Sequence, residues 1–135
     1  MESLKDKMKG AILHSFRNTN QFLEVEFSND TFEEIIFFIE CKISSSDSQV
    51  NEIVNKLNAL DQDVADIAFF IPANNKQVIN VIHKPETLEV VFINGYSIYF
   101  HLYDDYGEPL SISFRRNKDE NNFDDPMCFD NVSNN

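Results

Sequence analysis

His101, Asp104 and Asp105 come nearest to a chemical site in this chain. Imidazole and carboxylate are the groups that zinc and manganese accept. A working site would need further ligands from elsewhere, and no second cluster offers them. The three residues therefore read as a surface histidine beside an acidic turn, with no metal and no cofactor. Other catalytic patterns are missing. Gly10, Gly95 and Gly107 are the only glycines, and they form neither GxGxxG nor GxxxxGK, so no backbone cradle for phosphate is encoded. No CxxC or HExxH occurs, and no serine sits in a nucleophile elbow. The windows from Asp61 and Asn117 alternate oxygen ligands but lack the glycine and final glutamate of a calcium loop. A glycosidase-like carboxylate pair can be drawn from any 23 acids, yet nothing marks a polar cleft around one. The expectation is a protein that is not an enzyme.

What the residues offer instead is charge. The chain has 23 Asp and Glu against 11 Lys and Arg, a net of −12 on 135 residues. Residues 1–20 carry +2, residues 21–75 carry −9, residues 76–118 balance, and residues 119–135 carry −5. Such a field repels nucleic acid and anionic membranes and attracts basic proteins. Two groups of residues are candidate partner-binding surfaces. One is acidic: Glu24, Glu26, Glu33, Glu34, Asp61, Asp63 and Asp66. The other is the segment Tyr99, His101, Tyr103, Asp104, Asp105, Tyr106 and Glu108, where tyrosine supplies contact area and carboxylates answer Lys and Arg. Each has a plainer reading: a solvated acidic face that keeps the protein soluble, and half-buried tyrosines beneath a second layer.

The elements that must position these residues can be read from periodicity. Residues 3–17 predict a short N-terminal helix, weakened by Gly10. In 22–27, Leu23, Val25 and Phe27 alternate with Glu24 and Glu26, which predicts a strand with an acidic outer face. Ser28 to Thr31 is a turn. Residues 32–43 fit either helix or strand; strict alternation of Ile35, Phe37, Ile39, Cys41 and Ile43 favours a strand pairing back on 22–27. The clear amphipathic helix is 48–60, with Val50, Ile53, Val54, Leu57 and Leu60 in one stripe and Ser46 or Asp47 as N-cap. A short strand is expected at 66–71, stopped by Pro72. An antiparallel meander then spans 77–115, with strands near 77–83, 87–93, 96–103 and 110–115. Asn94-Gly95 reads as a type I′ hairpin turn. The fold class is α+β, mainly antiparallel sheet.

The organisation expected is a single acidic domain over 1–118 and an acidic, flexible tail over 119–135, whose Phe123, Met127 and Phe129 offer contacts for docking part of it onto the body. With 13 Phe and 4 Tyr the chain can fill a core, unlike acidic disordered proteins. Cys41 and Cys128 read as unrelated reduced thiols. The N-terminus lacks the apolar stretch of a signal peptide, and no apolar run nears the ~20 residues of a membrane span. A cytoplasmic protein is expected.

In size, acidity and lack of catalytic motifs, carried by the acidic group Glu24 to Asp66 and by Tyr99 to Glu108, the chain resembles bacterial immunity proteins of contact-dependent and other polymorphic toxin systems. The resemblance implies a one-to-one complex with a cognate basic toxin domain, often a nuclease, whose active site the inhibitor blocks. Two other classes stay open: a nucleic-acid mimic that inhibits a DNA-binding protein, and an adaptor or chaperone for a secreted basic effector.

Overall fold

Alternation of apolar and polar residues dominates the chain and builds two antiparallel sheets. The computed structural model describes residues 3–19, 23–60, 65–102, 110–117 and 123–129. Helix α1 (Leu4–Lys7) is followed by β1 (Ile12–Asn18), β2 (Leu23–Ser28), β3 (Phe32–Ile39) and β4 (Lys42–Ser45). Helix α2 (Ser48–Asn58) and a 3-10 helix (Ala65–Ala73) come next. β5 (Val78–His83), β6 (Thr87–Phe92), β7 (Ser97–His101), β8 (Leu110–Arg116) and β9 (Phe123–Phe129) complete the order. Sheet A runs β1-β2-β3-β8-β9 and sheet B runs β4-β7-β6-β5. No described helix is long and apolar enough to cross a membrane.

The inner faces meet through phenylalanine. Phe27 of β2 packs on Phe92 of β6 at 6.4 Å between ring centroids, and Phe37 of β3 on Phe100 of β7 at 5.5 Å. All four are buried, as are Val25, Ile35, Ile39, Leu88, Val90, Ile98, Leu110, Ile112 and Phe114. Tilted and offset rings at these separations add to the stabilisation from burial alone. The α+β, mainly antiparallel class holds, and β2 pairs with β3 as the alternation requires.

Five local expectations change. The N-terminal helix is a single turn, and 12–18 is a strand. Gly10, at φ 73°, redirects the chain after α1. A bulge between Leu13 and Ser15 then places the inward residues Leu13 and Phe16 three apart, which imitates helical spacing. The segment 32–43 is two strands: at Glu40-Cys41 the chain leaves sheet A for sheet B while the alternation continues unbroken. The apolar run at 66–71 is a 3-10 helix. It wedges Phe70 between Phe16 (6.0 Å) and Phe100 (6.4 Å), and its Phe69 carbonyl accepts the Tyr96 hydroxyl at 2.5 Å. A short apolar run has no period to distinguish strand from helix. The meander covers β5-β6-β7 only; β8 crosses to sheet A between β3 and β9. In the Asn94-Gly95 turn only Gly95 has positive φ (86°), and its N–H donates to the Phe92 carbonyl at 2.9 Å, so Ile93 and Asn94 are the central residues.

The acidic tail also resolves differently in part. Residues 123–129 are β9, paired antiparallel with β8. Asp124 anchors it: Arg116 grips the carboxylate at 2.7 and 3.0 Å and Lys7 lies 3.1 Å away. Lys7 also stands over the Phe114 ring at 4.5 Å, so α1, β8 and β9 converge on one carboxylate. Asn29 ties the β2–β3 turn to the same corner, donating to the carbonyls of Lys7 and Lys9 and accepting from the N–H groups of Thr31 and Phe32.

Candidate functional site

The acidic candidates lie on the outer face of sheet A. Val25 and Phe27 point inward, so Glu24 and Glu26 point out. The pairing register sets Glu24 opposite Phe38 and Glu26 opposite Ile36 on β3. It sets Phe38 opposite Ser111 and Ile36 opposite Ser113 on β8. The face thus has a half-buried apolar centre, Ile36 and Phe38, with glutamates on one flank and serines on the other. No described helix packs against it.

The charge on this face is partly answered from within. Arg17 of β1 pairs with Glu24. Arg115 of β8 holds Glu33 and Glu34, each at 2.8 Å. Hydrogen bonding to Glu34, with both carboxylates close by, raises the Arg115 pKa further above its usual value. Three of the four carboxylates therefore meet two guanidinium groups, and with Glu26 the four glutamates and two arginines leave a surplus of two negative charges, a small part of the −9 of residues 21–75. Each pair has one member open to water, Arg17 in the first and Glu33 and Glu34 in the other two, so Glu33 and Glu34 are the paired carboxylates most available to a competing cation.

Asp66 does not join them. It sits on the 3-10 helix, where its carboxylate accepts a long hydrogen bond from Asn58 Nδ2 of α2 (3.4 Å). Asp61 and Asp63 lie outside the described residues, as do Tyr103, Asp104, Asp105, Tyr106 and Glu108.

Tyr99 and His101 occupy the outer face of sheet B, since Ile98 and Phe100 point inward. Both are half-buried, and they lie on the other sheet's outer face from Glu24 and Glu26. Tyr99 lies in register between Ser44 of β4 and Glu89 of β6, and His101 between Lys42 and Thr87. His101 Nε2 is 2.8 Å from Ser44 Oγ. Burial, then the Lys42 charge, lowers the His101 pKa, so the ring is neutral near pH 7. A serine and a neutral histidine are two parts of a nucleophilic triad, but among the described residues no carboxylate flanks the ring in register to orient it. Among the described residues, no three His, Cys, Asp or Glu side chains cluster as metal ligands would. This face is mixed in charge, with Lys42 as prominent as Glu89.

Sequence reading missed Ile36, Phe38, Arg17 and Arg115 as parts of the acidic face. The signal for the first two was present: 35–39 is apolar in both phases of the alternation, so one phase had to face outward or meet another layer. The arginines depend on strand neighbours that only the topology supplies. No known protein family, curated protein or solved structure matches the chain.

Proposed function

We propose that this protein is an inhibitor of the immunity type, which acts in the bacterial cytoplasm by binding a basic toxin domain and blocking its active site. A nuclease is the partner that suits it best, because a nuclease must present Lys and Arg to phosphates. The observation that carries the reading is the outer face of sheet A: Glu24, Glu26, Glu33 and Glu34 around Ile36 and Phe38, on rigid central strands with no described helix across them. An apolar centre with a charged rim is the usual anatomy of a protein–protein interface. The net charge of −12 would steer a basic partner toward encounter, with association rates up to about 10⁸–10⁹ M⁻¹s⁻¹ at low salt.

The arginines on the face fit the same reading. Arg17 and Arg115 keep the glutamates in place before the partner arrives, and lysines of the partner then add to the carboxylates. The test is co-expression with the toxin encoded in the adjacent reading frame. Survival of cells that die without this protein supports the proposal; killing undiminished by its presence ends it.

A further inference from the structure

Strand β9 keeps its place with little help from the core. It is an outer strand of sheet A, and β8 is the only described strand it pairs with. None of its seven residues is buried, whereas Leu110, Ile112 and Phe114 of β8 are sealed from water. Met127 and Phe129 rest against the core only in part, and Phe123 is 58% exposed. The ladder is also broken in two. Leu110, Ser111 and Ile112 face Phe129, Cys128 and Met127, while Phe114 and Arg115 face Asp124 and Phe123. Between these runs Asp125 and Pro126 bulge opposite Ser113, and Pro126 has no N–H to donate. The main side-chain ties sit at the two ends. Asp124 meets Lys7 and Arg116 at one, and Phe129 stands edge-on to His83 at 5.0 Å at the other.

A segment with so few buried contacts opens at a lower free energy than the fold as a whole. Beneath it lies a built receptor. With β9 lifted, the edge of β8 presents a row of N–H and C=O groups, a template for an added strand. At the Arg116 end of that edge, Lys7 loses its carboxylate. Its side chain is only 9% exposed, and its ammonium stands 4.5 Å from the Phe114 ring and 5.9 Å from that of Phe32. A charge so sheltered needs an anion beside it. Arg116 adds a fork that grips a carboxylate through two bonds.

We propose that β9 is a displaceable strap, and that the β8 edge beneath it is a strand-addition site for an acidic, extended segment of a partner protein. The seated strap shows what the edge accepts: a carboxylate facing Lys7 and Arg116, then apolar side chains three and five residues later, in antiparallel register. A segment with a basic residue at the Asp124 position would set like charges together and be rejected. This site selects anions, while the glutamate face of sheet A selects cations. β3 and β8 separate β9 from Glu24 and Glu26 on β2, so the proposal stands apart from the toxin reading.

The strap can be locked. Cys128 of β9 lies directly across from Ser111 of β8, with Sγ and Oγ 4.0 Å apart. Opposed residues of an antiparallel pair are close enough to bridge, so Ser111→Cys should form a disulfide with Cys128 on oxidation. Cys41 is buried and does not compete. Hydrogen exchange is then measured on the full Ser111→Cys chain. When reduced, its 123–129 amides should exchange at least ~100-fold faster than those of β2 and β3, and oxidation should slow them at least ~10-fold. The second measurement is binding of a fluorescein-labelled peptide of residues 121–131. Against an identical tethered strand its apparent dissociation constant equals the effective concentration of that strand, on the order of 1 mM. Asp124→Asn in the protein weakens the strap but leaves the peptide its own aspartate, so the peptide should bind at least ~30-fold more tightly than to wild type. The oxidised Ser111→Cys chain should not bind it, and a peptide carrying Asp124→Asn should lose most of the gain. Amides of 123–129 that exchange no faster than those of β2 and β3 overturn the proposal, whether or not Asp124→Asn folds. So does peptide binding that the disulfide leaves unchanged, or binding to folded Asp124→Asn no tighter than to wild type.

Discussion

Replacing Asp124 by Asn should cost far more than its surface position in sequence suggests. The carboxylate side chain is 15% exposed and the Lys7 side chain 9%. Asn keeps the shape and removes the charge that answers both Lys7 and Arg116. Arg116, 37% exposed, can turn to water. Lys7 cannot, and the Phe114 ring replaces only part of the lost partner. Stranding one member of a buried pair costs about 3–5 kcal/mol. With one cation able to rehydrate, the lower end applies, about 3 kcal/mol, against the 5–15 kcal/mol that holds a typical domain together. Lys7→Met should behave differently. It removes the buried cation with its desolvation cost and leaves Asp124 paired to Arg116, so the change should stay within about 1 kcal/mol. The double variant should be more stable than Asp124→Asn alone, because the stranded charge is gone. Urea unfolding followed by far-UV circular dichroism reads all three; the chain has no Trp to report by fluorescence. The pH dependence adds a second check. Burial alone would raise the Asp124 pKa, but hydrogen bonds from Arg116 and Lys7, and their charges, outweigh it and hold the carboxyl below its usual range. A depressed carboxyl adds stability above its unfolded value, near 3.9, and loses it as pH falls through the folded value. The gap between wild type and Asp124→Asn should therefore close below about pH 4. An Asp124→Asn variant within about 1 kcal/mol of wild type at pH 7, or a Lys7→Met variant equally damaging, would refute the clasp.

Asn51→Ala should destabilise by about 1–3 kcal/mol, since it leaves the buried N–H and carbonyl of Ser45 without partners; chemical denaturation showing less than about 0.5 kcal/mol would mean water replaces the amide. His101 should titrate by NMR below the free-histidine value of about 6.5, and Lys42→Gln should move it partway back; a midpoint at or above 6.5 contradicts the burial described for it. Because the folded ring binds a proton less readily than the unfolded one, this group should lower stability as pH falls below about 6.5.

Legibility followed the range of the interactions involved. The acidic outer face of β2 could be read directly, because period-two alternation is local and Glu24 and Glu26 share its polar phase. The N-cap Asp47 and the hairpin at Asn94-Gly95 were legible for the same reason, although the hairpin's turn geometry differs. Alternation failed where one residue shifted the phase, as the bulge in β1 does, and where nothing interrupted it, as at the change of sheets at Glu40-Cys41. β9 was hidden because Asp124, Asp125 and Pro126 read as tail; it is a strand because distant Lys7 and Arg116 complete it. The helical stripe of α2 was correct as a pattern, but how much of it the body covers is a tertiary fact. The candidate site shows the same division. Glutamates were visible singly, while their separation from Asp66, their internal arginines and their placement on the other sheet from Tyr99 and His101 depend on strand order.

The central claim is that the glutamate face of sheet A engages a basic toxin domain. Its most direct test is rescue by the double reversal Glu24→Lys/Glu26→Lys, with Glu89→Lys on sheet B as a charge control. All three sites are half-buried on strand faces, so each variant must first show wild-type circular dichroism. The account predicts that cells expressing the adjacent toxin survive with wild type or Glu89→Lys and die with the double reversal. Full protection by the double reversal, with protection lost in Glu89→Lys, would place the interface on the opposite sheet and contradict the account.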